Sequence, residues 1–264
     1  MFNTVLDNCA MCFRKLGLFR FVADYNKPVA SVEAAIKVHS DIGGSLIVLP
    51  EAFNIGKYYG DQGGDCDHSR KIFDQLKTVA GSFDVTFVAG LIVEEPNGPT
   101  PPFSSAYLID GSGGILVCRK HGDDRSDVSP LTAENVRLLW NAPISKRIRL
   151  PNYTPFETTP DVRNPIQYRG SSIAAMICMD CNDEQVSGPV KEGFSKQAGP
   201  KIVCIPACIN KDFGDEAIAG MWPQHHVILA NSNPNGCRSF ISKDGTIIER
   251  DNRGSENSIV LCAP

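Results

Sequence analysis

Three side chains that could carry chemistry each follow a short apolar run. Glu51 comes directly after "LIVLP", Lys120 ends "GILVCRK", and Cys178 ends "IAAMIC". Catalytic groups often lie at the carboxyl ends of strands in α/β sheets, where the chain leaves the core. A carboxylate can act as a general base, an ammonium can stabilise an oxyanion, and a thiol can act as a nucleophile. The three positions are therefore candidates for one nucleophilic site.

Each of these positions also has an ordinary structural interpretation. A glutamate at a strand end commonly faces solvent, which position alone favours for Glu51. A lysine at a strand tip commonly extends its ammonium into water, as Lys120 could. A cysteine at the end of an apolar strand can be a packed core thiol, as Cys178 could.

The spacing of Cys178 and Cys181 opens two further interpretations. Together with Cys9 and Cys12 they could form a four-cysteine zinc site, although the two pairs lie far apart in sequence. A redox pair at the start of a helix is the other possibility. The acidic stretch "MDCNDEQ" opposes it, because acidic neighbours raise thiol pKa values.

Composition excludes several broad classes of function. The chain has 264 residues, 42% hydrophobic and 21% charged, with a net charge of −4. No basic stretch indicates nucleic-acid binding, and no apolar run is long enough for a membrane helix. There are ten cysteines, but polar residues occupy the start where a secretory signal would be apolar. We therefore expect a cytoplasmic protein with free thiols.

Short apolar runs alternate with helical patterns along the chain, which predicts a layered α/β domain with mixed sheets. The segment 141–170 is rich in proline and polar residues, and we interpret it as strands and turns inside one domain rather than as a linker. No internal repeat is evident. The predicted helices are 31–43 (capped by Ser31), 68–83 and 132–140; the predicted strands are 20–25, 45–51, 85–95, 171–178, 201–208 and 226–232, with hairpins at 103–120 and 237–251.

Three motifs occur in a characteristic order: "LIVLPEAFNIG", "VCRKHG" and "IAAMICMDC". This set resembles the nitrilase (carbon–nitrogen hydrolase) superfamily, and its amidase-like branch in particular. The resemblance implies an α/β fold, specifically an α-β-β-α four-layer sandwich with mixed sheets. It implies one carbon–nitrogen hydrolase domain over residues 1–264, with an N-terminal extension at 1–17.

The resemblance also implies roles for individual residues. Glu51 would be the general base, Lys120 an oxyanion-stabilising group and Cys178 the nucleophile. The backbone N–H of Met179 would assist Lys120 at the substrate oxyanion. Glu134 in "SPLTAENV" matches a second glutamate of the family, with Glu157 as the alternative.

The same resemblance implies the partners. It implies a small amide or carbamoyl substrate, a thioester intermediate, no cofactor or metal, and a homodimer or higher homo-oligomer. The aspartate two residues after Cys178 favours an amide over a nitrile as substrate.

The residues after Cys178 depart from the family pattern. Met179 stands where an aromatic residue is usual, and residues 182–185 replace the usual continuation. The helix that follows later is shortened to "GMWPQHHV". A catalytically degenerate binding or scaffold protein of the same fold is therefore an alternative to an active hydrolase.

Overall fold

Two mixed six-stranded sheets form the centre of the structure, a computed structural model that describes residues 13–20, 28–54, 66–93, 103–120, 164–209, 214–232, 237–251 and 257–264. The helices are α1 (Pro28–Lys37), α2 (Cys66–Phe83), α3 (Glu184–Ser195) and α4 (Asp215–Gly220), with a 3₁₀ helix at Cys178–Asn182. The strands are β1 (Lys15–Arg20), β2 (Ser45–Leu49), β3 (Thr86–Val93), β4 (Phe103–Ile109), β5 (Gly114–Arg119), β6 (Ile166–Tyr168), β7 (Ser171–Ala175), β8 (Lys201–Ala207), β9 (His226–Asn231), β10 (Phe240–Lys243), β11 (Thr246–Arg250) and β12 (Ser258–Cys262).

The two sheets repeat one arrangement of strand directions. The first sheet has the order β12-β1-β2-β3-β4-β5 and the second the order β6-β7-β8-β9-β10-β11. In each, three parallel strands are followed by two antiparallel ones, and an antiparallel strand borders the other side. The sequence shows no internal repeat, although the two sheets repeat the same pattern of strand directions.

The layers follow from the apolar character of the central strands. All five residues of β2 and all five of β7 are buried, as expected for parallel strands covered on both faces. One face of the first sheet packs against apolar residues of α1 and α2, and its other face packs against the second sheet. Helices α3 and α4 bury Val190, Phe194 and Ile218 against the second sheet. The predicted four-layer α-β-β-α architecture is confirmed.

The predicted start of the first helix is wrong. Helix α1 begins at Pro28 rather than at a Ser31 cap, because proline fits the first helical position, where its missing N–H costs nothing. Strand β1 is described over Lys15–Arg20, and its residues 15–17 pair with β2. The predicted strand 20–25 lies outside the described residues except for Arg20. Gly17 obscured the strand pattern; a Cβ there would lie 2.7 Å from the Leu261 side chain.

Other elements agree with the sequence more closely. Helix α2 and both hairpins occur where they were predicted, and a helix joins β7 to β8. Strand β2 stops at Leu49, before Pro50, and β7 stops at Ala175, three residues before Cys178. Within 141–170 the structure describes β6; the predicted helix 132–140 lies outside the described residues. In the described part of the chain, no helix is both long enough and apolar enough to cross a membrane.

An aromatic cluster beside α3 encloses a histidine. The ring centroid of His225 lies 4.9 Å from that of Phe194 and 5.3 Å from that of Trp222. Neither ring nitrogen of His225 has a hydrogen-bond partner among the described residues. Burial, with the charges of Lys201 and Lys191, lowers the pKa of His225 from 6.5 to about 4. The folded protein therefore holds this imidazole neutral.

This neutral imidazole predicts a loss of stability in mild acid. Above pH 6.5 His225 is neutral in both states, but between pH 6.5 and about 4 the unfolded chain binds a proton that the folded protein does not. The free energy of unfolding should fall by about 2 kcal/mol over that range, allowing for partial exposure. Urea unfolding at several pH values should show that His225→Phe removes this part of the decline. The control variant His39→Gln, two residues beyond α1, should show the same decline in unfolding free energy as the wild type. Identical pH profiles for His225→Phe and the wild type would contradict the prediction.

Candidate active site

Glu51 and Lys120 meet at the ends of two strands of the first sheet. Glu51 follows β2 and is 3% exposed, and the Lys120 side chain after β5 is 22% exposed. The Lys120 Nζ donates to Glu51 Oε1 at 2.8 Å. The Ser104 hydroxyl on β4 donates to the same oxygen at 3.1 Å. The structure thus brings together a buried carboxylate and an ammonium that are separated by two strands of the sheet.

Gly90 creates the space that Glu51 occupies. This residue of β3 has no side chain where the chain turns out of β2; a Cβ there would lie 2.7 Å from Glu51 Cα and 2.8 Å from Pro206 Cβ. Its carbonyl accepts from the Phe53 N–H at 2.9 Å. Ala52, between Glu51 and Phe53, adopts a φ of 54°, in the left-handed region that residues other than glycine rarely occupy. The turn that presents Glu51 is therefore tight and strained.

We expect Gly90→Ala to damage both stability and the site. The new methyl group would overlap backbone atoms that cannot rotate away, so the cost should be about 2 kcal/mol of unfolding free energy. Urea denaturation would measure the loss of stability. A crystal structure of the variant would show whether Glu51 is displaced. Gly113→Ala in the β4–β5 turn is the matched control, because nothing lies within 4 Å of a Cβ there. Equal stabilities for the two variants would refute the close approach.

Cys178 approaches from the second sheet. It begins the 3₁₀ helix after β7, is 6% exposed, and has a φ of 56°. The Met176 N–H donates to the Cys204 carbonyl, so the chain still follows β8 two residues before Cys178. The positive φ marks a sharp turn between the end of the strand and the 3₁₀ helix. Cys178 is therefore presented at the same edge as the end of β8.

Electrostatic interactions join Cys178 to the other two residues. Burial, reinforced by the negative charge of Glu51, raises the pKa of the Cys178 thiol well above its usual value; Lys120 and the Cys208 N–H partly oppose this. Burial lowers the pKa of Lys120, but the charges of Glu51, Cys178 and Asp180 outweigh burial, and its pKa lies above the usual range. At neutral pH the resting site thus contains a thiol and an ammonium. A base must remove the thiol proton before sulfur can attack.

The end of β8 forms the remaining described side of the site. The Glu51 N–H donates to the Ala207 carbonyl at 3.4 Å, which ties the two sheets together beside Cys208. Asn231 fixes Ile209, the residue after Cys208. The Asn231 Oδ1 accepts from the Ile209 N–H, and the Asn231 Nδ2 donates to the Ile209 carbonyl. Sequence reasoning did not identify Ser104, Gly90 or Cys208, whose roles depend on contacts between strands. The only signal at Asn231 was the motif "ANSNPNG".

The other predicted residues are either outside the described residues or differently placed. Glu134 and Glu157 lie outside the described residues, as do Cys9 and Cys12 of the suggested zinc site. For Met179 the structure describes the backbone, which belongs to the 3₁₀ helix. Cys181 is fully buried and interacts with Cys237 rather than with Glu51. Within the described ranges, no three His, Cys, Asp or Glu side chains are grouped as a metal site.

Solved structures of an amidase match the fold of this chain. An amidase from Nesterenkonia sp. matches with a TM-score of 0.66 at 15% identity, over 97% of this chain and 91% of that one. Its complex with butyramide, in a cysteine-to-alanine variant, gives a TM-score of 0.65 at 15% identity over 96% and 92%. This amidase is described as a member of the nitrilase superfamily. The chain has the nitrilase-superfamily fold.

A further variant of the amidase with this nitrilase-superfamily fold shows its active-site cysteine modified. In a glutamate-to-leucine variant, that cysteine carries the acetamide moiety of fluoroacetamide; the TM-score is 0.63 at 15% identity, over 99% of this chain and 93% of that one. No family model matches the sequence, and no curated protein does. The likeness is therefore one of fold.

Proposed function

We propose that this protein is a cysteine-dependent amidase that hydrolyses the C–N bond of a small amide or carbamoyl compound. The observation that carries the proposal is the buried Lys120–Glu51 ion pair beside the Cys178 thiol. Further support comes from the fold, which is shared with an amidase whose structure in complex with butyramide is known. Cys178 is the nucleophile, Glu51 the general base and Lys120 the oxyanion-stabilising group.

The reaction begins with formation of a thioester. Glu51 takes the proton of the Cys178 thiol while sulfur attacks the amide carbonyl carbon. The resulting oxyanion is stabilised by the Lys120 ammonium and by the backbone N–H of Met179; loss of one such donor typically costs ~10²–10³ in rate. The tetrahedral intermediate collapses, the C–N bond breaks, and Glu51 gives its proton to the departing amine.

Hydrolysis of the thioester returns the site to its starting state. Glu51 removes a proton from water as the water oxygen attacks the thioester carbonyl. The C–S bond then breaks, a carboxylic acid leaves, and Cys178 recovers its proton from Glu51. By resemblance to the family, Glu134 is proposed as the second glutamate that orients Lys120, with Glu157 as the alternative. No cofactor or metal enters any of these steps.

Intact-protein mass spectrometry tests this proposal. The protein is mixed rapidly with acetamide, butyramide and carbamoyl compounds, and ammonia release is followed in parallel. The expected result is an acyl adduct on Cys178 together with catalytic release of ammonia. The alternative of a non-catalytic binding protein predicts no adduct and no ammonia from any compound, and that result would overturn the proposal.

The cellular setting of this enzyme is part of the same proposal. The seven cysteines whose side chains are described are all thiols, which supports a reducing compartment such as the cytoplasm. By its resemblance to the family, we propose a single catalytic domain that assembles as a homodimer or larger homo-oligomer. Sedimentation analysis of the purified protein would contradict the assembly if it showed monomers only.

A further inference from the structure

The two carboxylate oxygens of Glu51 have unequal surroundings. Oε1 accepts hydrogen bonds from both Lys120 Nζ and Ser104 Oγ, at 2.8 and 3.1 Å. Oε2 is buried and accepts none from the described residues. A carboxylate held by one oxygen keeps the other available for proton transfer. The proposed mechanism uses the lysine, but it assigns no task to Ser104.

Ser104 makes hydrogen bonds to both residues of the ion pair. It lies on β4, is 7% exposed, and its carbonyl accepts from the Lys120 N–H at 2.8 Å, which continues the pairing of β4 with β5. Its hydroxyl at the same time donates to the Glu51 side chain. One residue thus fixes the main chain of Lys120 and the side chain of Glu51 relative to each other. Hydrogen bonds to a charged group are the stronger kind, and burial strengthens them further.

We propose that Ser104 is a positioning residue for the reaction, which holds Glu51 by Oε1 so that Oε2 serves as the proton acceptor. The inference rests on the proposed function, since it assigns Glu51 the role of base. Without the hydroxyl, Glu51 can rotate about its terminal bond, and its ionised form loses one hydrogen-bond donor. Proton transfer from Cys178 to Glu51 then becomes less efficient, because Oε2 is no longer held in one position.

The neighbouring residue provides a matched control. Ser105 is also a buried serine on β4, but successive side chains of a strand point to opposite faces, and its hydroxyl has no hydrogen-bond partner among the described residues. Ser104→Ala and Ser105→Ala therefore delete the same atom from the same strand. Any general effect on packing or folding should appear in both variants, whereas an effect through Glu51 should appear in Ser104→Ala.

The experiment measures turnover of butyramide and alkylation of Cys178 by fluoroacetamide, each as a function of pH. In the alkylation the cysteine sulfur displaces fluoride to form a thioether, and the thiol proton passes to Glu51. For Ser104→Ala we expect kcat and the alkylation rate to fall by about 10- to 100-fold, the loss expected for a hydrogen bond to a charged group. The loss should appear in kcat and in the alkylation rate across the pH range, and KM should change little. Ser105→Ala should match the wild type.

The outcomes separate the two proposals. If Ser104→Ala has the same pH profile and alkylation rate as Ser105→Ala, while the wild type turns over butyramide, Ser104 has no positioning role and the function stands. If Cys178 of the wild type reacts with fluoroacetamide no faster than Cys181 does, and butyramide is not hydrolysed, the proposed function fails, and the inference about Ser104 fails with it.

Discussion

Replacing Cys178 with alanine is expected to lower amide turnover by about 10⁴-fold or more, the scale of loss seen when a covalent nucleophile is removed. The Cys178 thiol interacts electrostatically with both Glu51 and Lys120. The variant should remain folded, because alanine fills most of the same buried volume. Ammonia release from butyramide measures the effect, and thermal unfolding checks the fold.

Cys181→Ala is the control for that variant. Both cysteines are buried in the same 3₁₀ helix, but Cys181 lies beside Cys237, and burial raises its thiol pKa with no opposing lysine. Its thiol should therefore be inert, and its removal should leave turnover within about twofold, as is usual for a residue outside the reacting groups. Retention of full activity by Cys178→Ala, or its loss in Cys181→Ala alone, would show that the nucleophile is assigned wrongly.

The second large effect is expected for Glu51→Gln. Glutamine keeps the size of the side chain and an oxygen for Lys120 and Ser104, but it cannot accept the thiol proton. Turnover should fall by about 10²–10⁴-fold, the range for loss of a general base. Because the charge of Glu51 raises the Cys178 pKa, the variant thiol should ionise at lower pH than the wild-type thiol.

Those two consequences of Glu51→Gln can be measured separately. Steady-state ammonia release reports the lost base, and the pH dependence of fluoroacetamide alkylation reports ionisation of the thiol. Glu192→Gln is the control, because Glu192 is exposed on α3 and pairs only with Lys196 among the contacts described. A Glu51→Gln variant with wild-type turnover would mean that another group takes the proton.

Local patterns predicted the elements of the fold better than their ends. Continuous apolar runs identified the buried strands, because burial on both faces leaves little room for polar residues. The sequence did not predict a strand at 15–19, since Gly17 interrupts its apolar pattern and the reason for that glycine is a side chain on β12. The predicted start of α1 is three residues late, because a serine is a common helix cap and Pro28 in the first turn gives a weaker signal.

The candidate site was predictable only as separate positions. The strand ends of Glu51 and Lys120 were visible in the sequence, but the 2.8 Å contact between them crosses two intervening strands. The roles of Gly90 and Ser104 depend on contacts across the sheet, for which a single sequence holds no local signal. The approach of Cys178 depends on how two sheets pack, and periodicity along one strand does not encode that packing.

The position of β12 determines the order in which the protein can fold. The second sheet uses strands that are consecutive in the chain, whereas the first sheet needs β12, which follows the whole of the second, to pair with β1. Pairings between distant segments form slowly, because closing a long loop costs entropy before contacts compensate. We therefore expect the second sheet to form before β12 pairs with β1, so that the first sheet is completed last. Since Glu51 and Lys120 belong to the first sheet and Cys178 to the second, hydrolytic activity should be among the last properties that the folding chain acquires.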